Sequence, residues 1–242
     1  MMYAVRRFVR RKLRDHGWIL HRAPPEGVWQ AGHAYWDAEY LQRHKFRPAT
    51  VVDVGVGSGT KPLYEAFPNA YLLLIEPLTE FAGDIREILR KRSGRHIPMA
   101  LGAARGSKTI FVEPADALRS SFYERCELKR SGDLRIAREV EVTTLEAIAD
   151  EFSFPRPYGL KLDTEGMELE ILRGATNFLC DTIFVIAEVS VIRRFEGSYS
   201  FEQLISTLSE AGFEVCDILD IGRAIPSGEV TFIDLMFRRR AS

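Results

Sequence analysis

Between Thr50 and Gly59 the chain reads Thr-Val-Val-Asp-Val-Gly-Val-Gly-Ser-Gly, and few folds accept such a run. Strand-forming residues lead into three glycines at alternate positions, which predicts a buried strand (50–54), a tight turn and a helix opening near Gly59. Gly55, Gly57 and Gly59 carry no Cβ, so the backbone there can turn sharply and come close to a ligand. The spacing is Gly-x-Gly-x-Gly, with Thr60 where a dinucleotide fingerprint has its last glycine. The bland alternative is a plain strand–turn–helix joint with a solvated Asp53.

Asp53 sharpens the reading. A carboxylate beside a loop that cradles pyrophosphate is electrostatically unfavourable, whereas beside a cation it is favourable. S-adenosylmethionine carries a sulfonium and an ammonium and no phosphate. Downstream, Tyr71-Leu-Leu-Leu-Ile75 reads as a second buried strand ending in Glu76-Pro77. An acidic residue about 20 positions beyond the glycine turn is placed to accept hydrogen bonds from ribose hydroxyls. Glu76 supports a nucleoside without choosing between cofactors. Asp53 and the missing last glycine choose S-adenosylmethionine over a nicotinamide. The cofactor-binding set is then Asp53, Gly55, Gly57, Gly59, Glu76 and Pro77.

The rest of the chain alternates strand and helix. Strands are predicted at 96–101, 108–113, 140–142, 158–162 and 182–189, with an antiparallel pair at 213–219 and 230–237. Helices are predicted at 79–92 (capped by Thr79), 145–152 (capped by Thr144), 167–179 and 201–211 (capped by Ser200). Residues 115–137 read as a mobile loop or lid. The fold class is α/β: a doubly wound, mostly parallel sheet ending in an antiparallel hairpin, with its ligand across the strands' carboxyl ends. Residues 1–47 form an N-terminal helical extension and 48–242 the cofactor-binding domain.

The formal charge of −1 is unevenly spread, because residues 1–22 hold seven Lys/Arg and one Asp. Val5, Phe8, Val9 and Leu13 recur at helical spacing among those arginines. Such a helix lies on an anionic membrane surface or acidic partner, or docks on its own domain or a subunit neighbour in a homo-oligomer. A second helix, 34–45, carries Tyr35, Trp36 and Tyr40; it either covers the cleft or packs in the core. No secretory signal or membrane span is visible. Cys126, Cys180 and Cys216 fit no metal spacing, so reduced, buried thiols in a cytoplasmic protein are expected, with peripheral membrane contact through the basic helix as the variant.

The second landmark is Tyr158-Gly-Leu-Lys-Leu-Asp-Thr-Glu-Gly-Met-Glu-Leu-Glu-Ile-Leu-Arg-Gly174. Strand alternation puts Lys161 and Asp163 on one side, and Asp163 and Glu165 emerge at the carboxyl edge. Two carboxylates and an ammonium there suit proton handling or metal binding. A capped helix start explains the same residues structurally. Glu170, Lys129 and Arg173 read as surface charges.

Together these pieces resemble the FkbM-type S-adenosylmethionine-dependent methyltransferases. The matching segments are Val52-Asp-Val-Gly-Val-Gly-Ser-Gly59, Ile75-Glu-Pro77, Ala100-Leu-Gly102, Val142-Thr-Thr-Leu145, Lys161-Leu-Asp-Thr-Glu-Gly-Met-Glu168, Leu172-Arg-Gly-Ala175 and Ile186-Ala-Glu-Val189. The Lys-x-Asp-x-Glu-Gly-x-Glu run is the specific one. The family often has Ala-Asn after the first glycine, where this chain has Val56-Gly57. The resemblance covers residues 50–190 and implies the class I methyltransferase (Rossmann-like) fold and O-methylation, commonly of a sugar or polyketide hydroxyl.

Methyl transfer to a hydroxyl needs alignment and removal of the hydroxyl proton. Asp163 is the first candidate base, or a metal ligand. Lys161 orients it, neutralises charge on the nucleophile, or forms a purely structural pair. Glu165 and Glu188 rank second, and with Asp163 they form an oxygen-ligand set for Mg²⁺ or Mn²⁺. The expected partner is a small-molecule or glycan acceptor, with no nucleic acid. The rivals are an NAD(P)-dependent oxidoreductase and a non-catalytic protein that uses its basic arm for binding.

Overall fold

The computed structural model describes residues 36–114, 116–126, 135–224 and 227–241. The expected basic helix and Lys129 lie outside these residues.

A seven-stranded sheet runs through the molecule in the order β3-β2-β1-β7-β8-β10-β9. Its members are β1 (Thr50–Val54), β2 (Tyr71–Ile75), β3 (Gly94–Ile97), β7 (Tyr158–Leu162), β8 (Thr182–Ser190), β9 (Phe213–Arg223) and β10 (Val230–Arg239). The first five pair in parallel, and β10 is antiparallel to both β8 and β9. A crossover leads from β1 to the outer strands on one side and back to β7 on the other, so the switch point falls between β1 and β7. This is the expected doubly wound, mostly parallel sheet with a terminal antiparallel hairpin.

Period-2 burial assigns the two cores. Val52, Val54, Leu73, Leu160 and Val185 face one layer, built by α4 (Leu145–Glu151), α5 (Glu168–Arg173), α6 (Thr176–Cys180) and α7 (Phe201–Glu210). Val51, Leu72, Leu74, Phe184 and Ile186 face the other, built by α1 (Ala38–Gln42), α2 (Lys61–Ala66) and α3 (Ala82–Leu89). Parallel strands covered on both faces carry near-continuous apolar runs, as 71–75 does.

Several elements differ from expectation for local reasons. The predicted strand 96–101 splits at the turn around Met99. Its second half, β4 (Ala100–Leu101), joins β5 (Gly106–Val112) and β6 (Ile136–Thr143) in a separate three-stranded sheet of order β4-β6-β5. Thr79 caps nothing: it opens a 3₁₀ turn, Thr79–Phe81, and α3 follows from Ala82. The expected helix 167–179 breaks at Gly174-Ala175, where the backbone packs so closely on Gly102 that a Cβ on Gly174 would lie 2.3 Å from the Gly102 carbonyl oxygen. The Ser200 cap holds as a full capping box with Gln203.

Tyr40 and Trp36 pack against the second core, and the Tyr40 hydroxyl donates to Asp217 at 2.8 Å. The aromatic helix therefore packs rather than covers the cleft. The cysteines are free, but Cys126 and Cys180 are exposed and Cys216 is partly so, contrary to the burial expected of them. Among the described residues no helix is long and apolar enough to cross a membrane.

Candidate active site

The strand ends that meet at the switch point contribute to one cavity of about 370 Å³. Gly55, Gly57, Gly59, Glu76, Pro77, Lys161, Asp163, Glu165 and Glu188 all line it. Residues far apart in sequence come together because β1 pairs with both β2 and β7, with Asp53 in register with Lys161.

The glycine loop sits tight against the chain itself. Gly55 has φ 74°, and a Cβ there would lie 1.9 Å from the Asp163 carbonyl oxygen, so this glycine lets β7 end beside the loop. Gly57 has φ 51° and faces the end of the Leu118 side chain, which reaches over the cavity from the 3₁₀ turn Ala117–Arg119. The close approaches read from sequence as ligand contacts are thus partly internal.

Glu76 ties the two walls together. Its carboxylate accepts the Gly57 N–H at 3.0 Å and the Leu78 N–H at 2.9 Å. Burial pushes its pKa up, against the pull of those two N–H groups. About two of its roughly four lone-pair directions remain for a ligand diol. Beside it lies an apolar slot formed by Leu78, Phe81, Met99, Leu101 and Ile110, suited to a flat heterocycle.

Asp53 is corrected by the structure: it does not line the cavity. Its side chain is fully enclosed beneath the loop, accepting the Tyr64 hydroxyl at 2.5 Å, with Lys161 Nζ 3.6 Å away. The cation it faces is the protein's own ammonium. Selection against pyrophosphate comes from elsewhere. Lys161 is the one basic residue among the described lining residues, and it is already shared by two carboxylates. Glu76 meanwhile holds the loop N–H that a phosphate would need. A nucleoside with a cationic tail fits these charges, and a dinucleotide does not.

The opposite end is polar. Lys161, 8% exposed, donates to Asp163 Oδ2 at 3.0 Å, while the Asp163 side chain is 41% exposed. Burial alone would lower the Lys161 pKa, but Asp163 and Asp53 outweigh it and hold the ammonium charged. The turn that follows is strongly braced. Glu165 adopts φ 52°, a conformation costing a non-glycine residue about 1–3 kcal/mol. Its carbonyl accepts Ser121 Oγ at 2.7 Å, and the buried Glu168 carboxylate accepts the N–H groups of Thr164 at 2.8 Å and Gly166 at 3.1 Å.

Glu165 and Glu188 do not form an ion site with Asp163. Arg194 bridges them, bonding Glu165 at 2.7 Å and Glu188 by a short contact, and Arg125 adds a second guanidinium to Glu165 at 2.9 Å. Among the described residues no group of three or more His, Cys, Asp or Glu side chains gathers as a metal-ligand set. The carboxylates expected to hold a divalent cation are already neutralised. Even so, burial, reinforced by the Asp163 charge, pushes the Glu188 pKa well up.

Sequence reasoning missed Tyr64, Arg125, Arg194 and Leu118. None lies in a motif, and each acts through a contact made across elements.

Residues 53–215 match the family model described as the methyltransferase FkbM domain. The hexuronic acid methyltransferase AglP of Haloferax volcanii is 28% identical over 141 residues, 57% of this chain and 54% of that protein. The match thus spans about half the length of this curated relative. Methyltransferase FkbM from Methylobacillus flagellatus KT superposes with a TM-score of 0.47 at 16% identity, covering 83% of this chain and 48% of that one. Magnesium protoporphyrin IX methyltransferase (ChlM) from Synechocystis PCC 6803, solved with bound SAM, gives 0.46 at 12% identity over 84% and 76%. The family model runs across all the described residues that line the cavity, and the chain belongs to the methyltransferase FkbM domain family.

Proposed function

We propose that the protein is an S-adenosylmethionine-dependent O-methyltransferase whose acceptor is a sugar or glycan hydroxyl. The observation that carries this reading is Asp163: a half-exposed carboxylate, fixed by a buried ammonium, in the same cavity as the glycine loop and Glu76. The sugar acceptor is supported by the activity named for the Haloferax volcanii relative and by the polar end of the cavity.

The residues divide the work. Glu76 and the apolar slot beside it bind a nucleoside. S-adenosylmethionine, when bound, supplies a methyl group on a sulfonium, which leaves as a neutral thioether. Asp163 accepts the hydroxyl proton as the acceptor oxygen forms its bond to that methyl carbon. Lys161 orients Asp163 through its hydrogen bond to Oδ2. The Arg194 bridge keeps Glu165 and Glu188 from collapsing onto the cavity or repelling each other.

Asp163→Asn keeps the shape and removes the base. With radiolabelled S-adenosylmethionine and a panel of hexuronic acid glycosides and neutral sugars, turnover should fall by about 10²–10⁴-fold. Affinity for S-adenosylhomocysteine, measured by calorimetry, should hardly change. Normal turnover in this variant would overturn the assignment and leave Asp163 as a structural helix-start residue.

A further inference from the structure

One ammonium lies between two carboxylates in this site. Lys161 Nζ is 3.0 Å from Asp163 Oδ2 and 3.6 Å from Asp53 Oδ1. It therefore hydrogen-bonds Asp163 and only approaches Asp53. This preference is the reverse of what solvation dictates. Asp163 is 41% exposed and water can stabilise its charge, whereas Asp53 is wholly enclosed and depends on protein groups alone.

What restores the balance is Tyr64, on α2 beneath the glycine loop. Its hydroxyl donates to Asp53 Oδ2 at 2.5 Å, and Asp53 Oδ1 has no hydrogen-bond partner among the described residues. The Tyr64 hydroxyl is thus the single hydrogen bond to this buried carboxylate among those residues. Burial and the Asp53 charge push the Tyr64 pKa above its usual 10, so the group stays a donor throughout the working range.

We propose that Tyr64 is a positioning residue: by satisfying Asp53 it leaves the Lys161 ammonium on Asp163. The proposal rests on the reading of Asp163 as the proton acceptor. Without the hydroxyl, Asp53 is a buried charge with no donor, and uncompensated charges of this kind are strongly destabilising. The nearest cation is Lys161, whose ammonium then shifts to Asp53. Asp163 has water to replace it.

The other charges facing Asp163 make the loss count. Glu165 lies two residues on, Glu188 on β8 and Asp234 on β10, all of them carboxylates. Arg194 is committed to Glu165 and Glu188. Once Lys161 moves away, no cation is left for Asp163 among these neighbours, and its carboxylate takes up a proton more readily.

The test is a pH titration of the Asp163 carboxyl carbon by ¹³C NMR, on the whole protein labelled at aspartate, with Asp163→Asn assigning the resonance. Neither cofactor nor acceptor is needed. Tyr64→Phe should raise the titration midpoint by about one pH unit or more, the size expected when an opposite charge within hydrogen-bond range is lost. The double variant Tyr64→Phe/Asp53→Asn should bring the midpoint back to the wild-type value or below, because a neutral amide at position 53 no longer draws the ammonium away. If Tyr64→Phe fails to fold, the Asp53→Asn background decides: with no charge at position 53, adding Tyr64→Phe should leave the Asp163 midpoint where Asp53→Asn alone puts it, and a midpoint that moves overturns the proposal. An unmoved midpoint in folded Tyr64→Phe overturns it too, as does a rise that Asp53→Asn fails to reverse. Turnover by Asp163→Asn is a separate readout. If it is normal while the Tyr64→Phe midpoint moves, the base assignment falls and the positioning of Lys161 stands.

Discussion

Replacing Glu76 by Gln separates two tasks this side chain performs. In the wild type its two oxygens each take one backbone N–H, from Gly57 and from Leu78. The amide of Gln offers one acceptor and one donor, so one of those N–H groups faces an NH₂. A buried backbone donor left unpaired costs about 1–3 kcal/mol, and the surviving bond loses its charge assistance. Against this, a neutral amide escapes the burial penalty that pushes the Glu76 pKa up. At neutral pH these terms partly offset, leaving a net loss of about 1–2 kcal/mol without any ligand.

The pH dependence has a definite sign. A carboxyl whose folded pKa is raised stabilises the fold fully below its unfolded pKa, and that contribution is lost as pH rises through the folded value. Gln does not titrate, so the stability deficit of Glu76→Gln should be largest in acid and shrink as pH rises. Urea denaturation of the ligand-free protein from about pH 4 to about pH 8 reads both effects. Calorimetry with S-adenosylhomocysteine reads the second task, where affinity should fall by about 1.5–3 kcal/mol, roughly 10- to 150-fold. Unchanged stability would refute the loop argument. Unchanged affinity would refute the ribose assignment even if stability fell.

Arg194→Met strips the shared cation from Glu165 and Glu188 and should cost about 3–5 kcal/mol near pH 8, since both carboxylates stay buried. Denaturation near pH 5 should show a smaller loss, because burial and the Asp163 charge already push Glu188 toward its protonated form. Asp234 is pushed up to about 7 by burial and the Asp163 charge, so its stabilising contribution is lost as pH climbs from about 4 to about 7. Asp234→Asn removes this dependence, and the stability of wild type relative to the variant should decline over that window by up to about 1.4 kcal/mol per pH unit. A flat difference would mean that Asp234 titrates normally.

Much of this protein is legible along the chain because it is local. The bounds of β1 and β2 follow from β-branched and leucine runs ending in Gly55 and Glu76. The capping box at Ser200 follows from residues three apart. Lys161 and Asp163 meet because strand residues two apart share a face. Glu76 and the glycine loop can be paired from sequence because the doubly wound fold brings consecutive parallel strands together at their carboxyl ends.

What only the tertiary structure decided is which charge answers which. From sequence Asp53 looks like a ligand group, yet a row of strand pairing places Lys161 beside it and α2 lowers Tyr64 onto its other oxygen. Glu165 and Glu188 look like metal ligands until Arg194, from the loop after β8, fills the space between them. Hydrophobic periodicity records which face of an element is buried. It holds no record of which polar partner arrives from a distant part of the chain, and in a low-dielectric cavity that partner determines what each carboxylate can do.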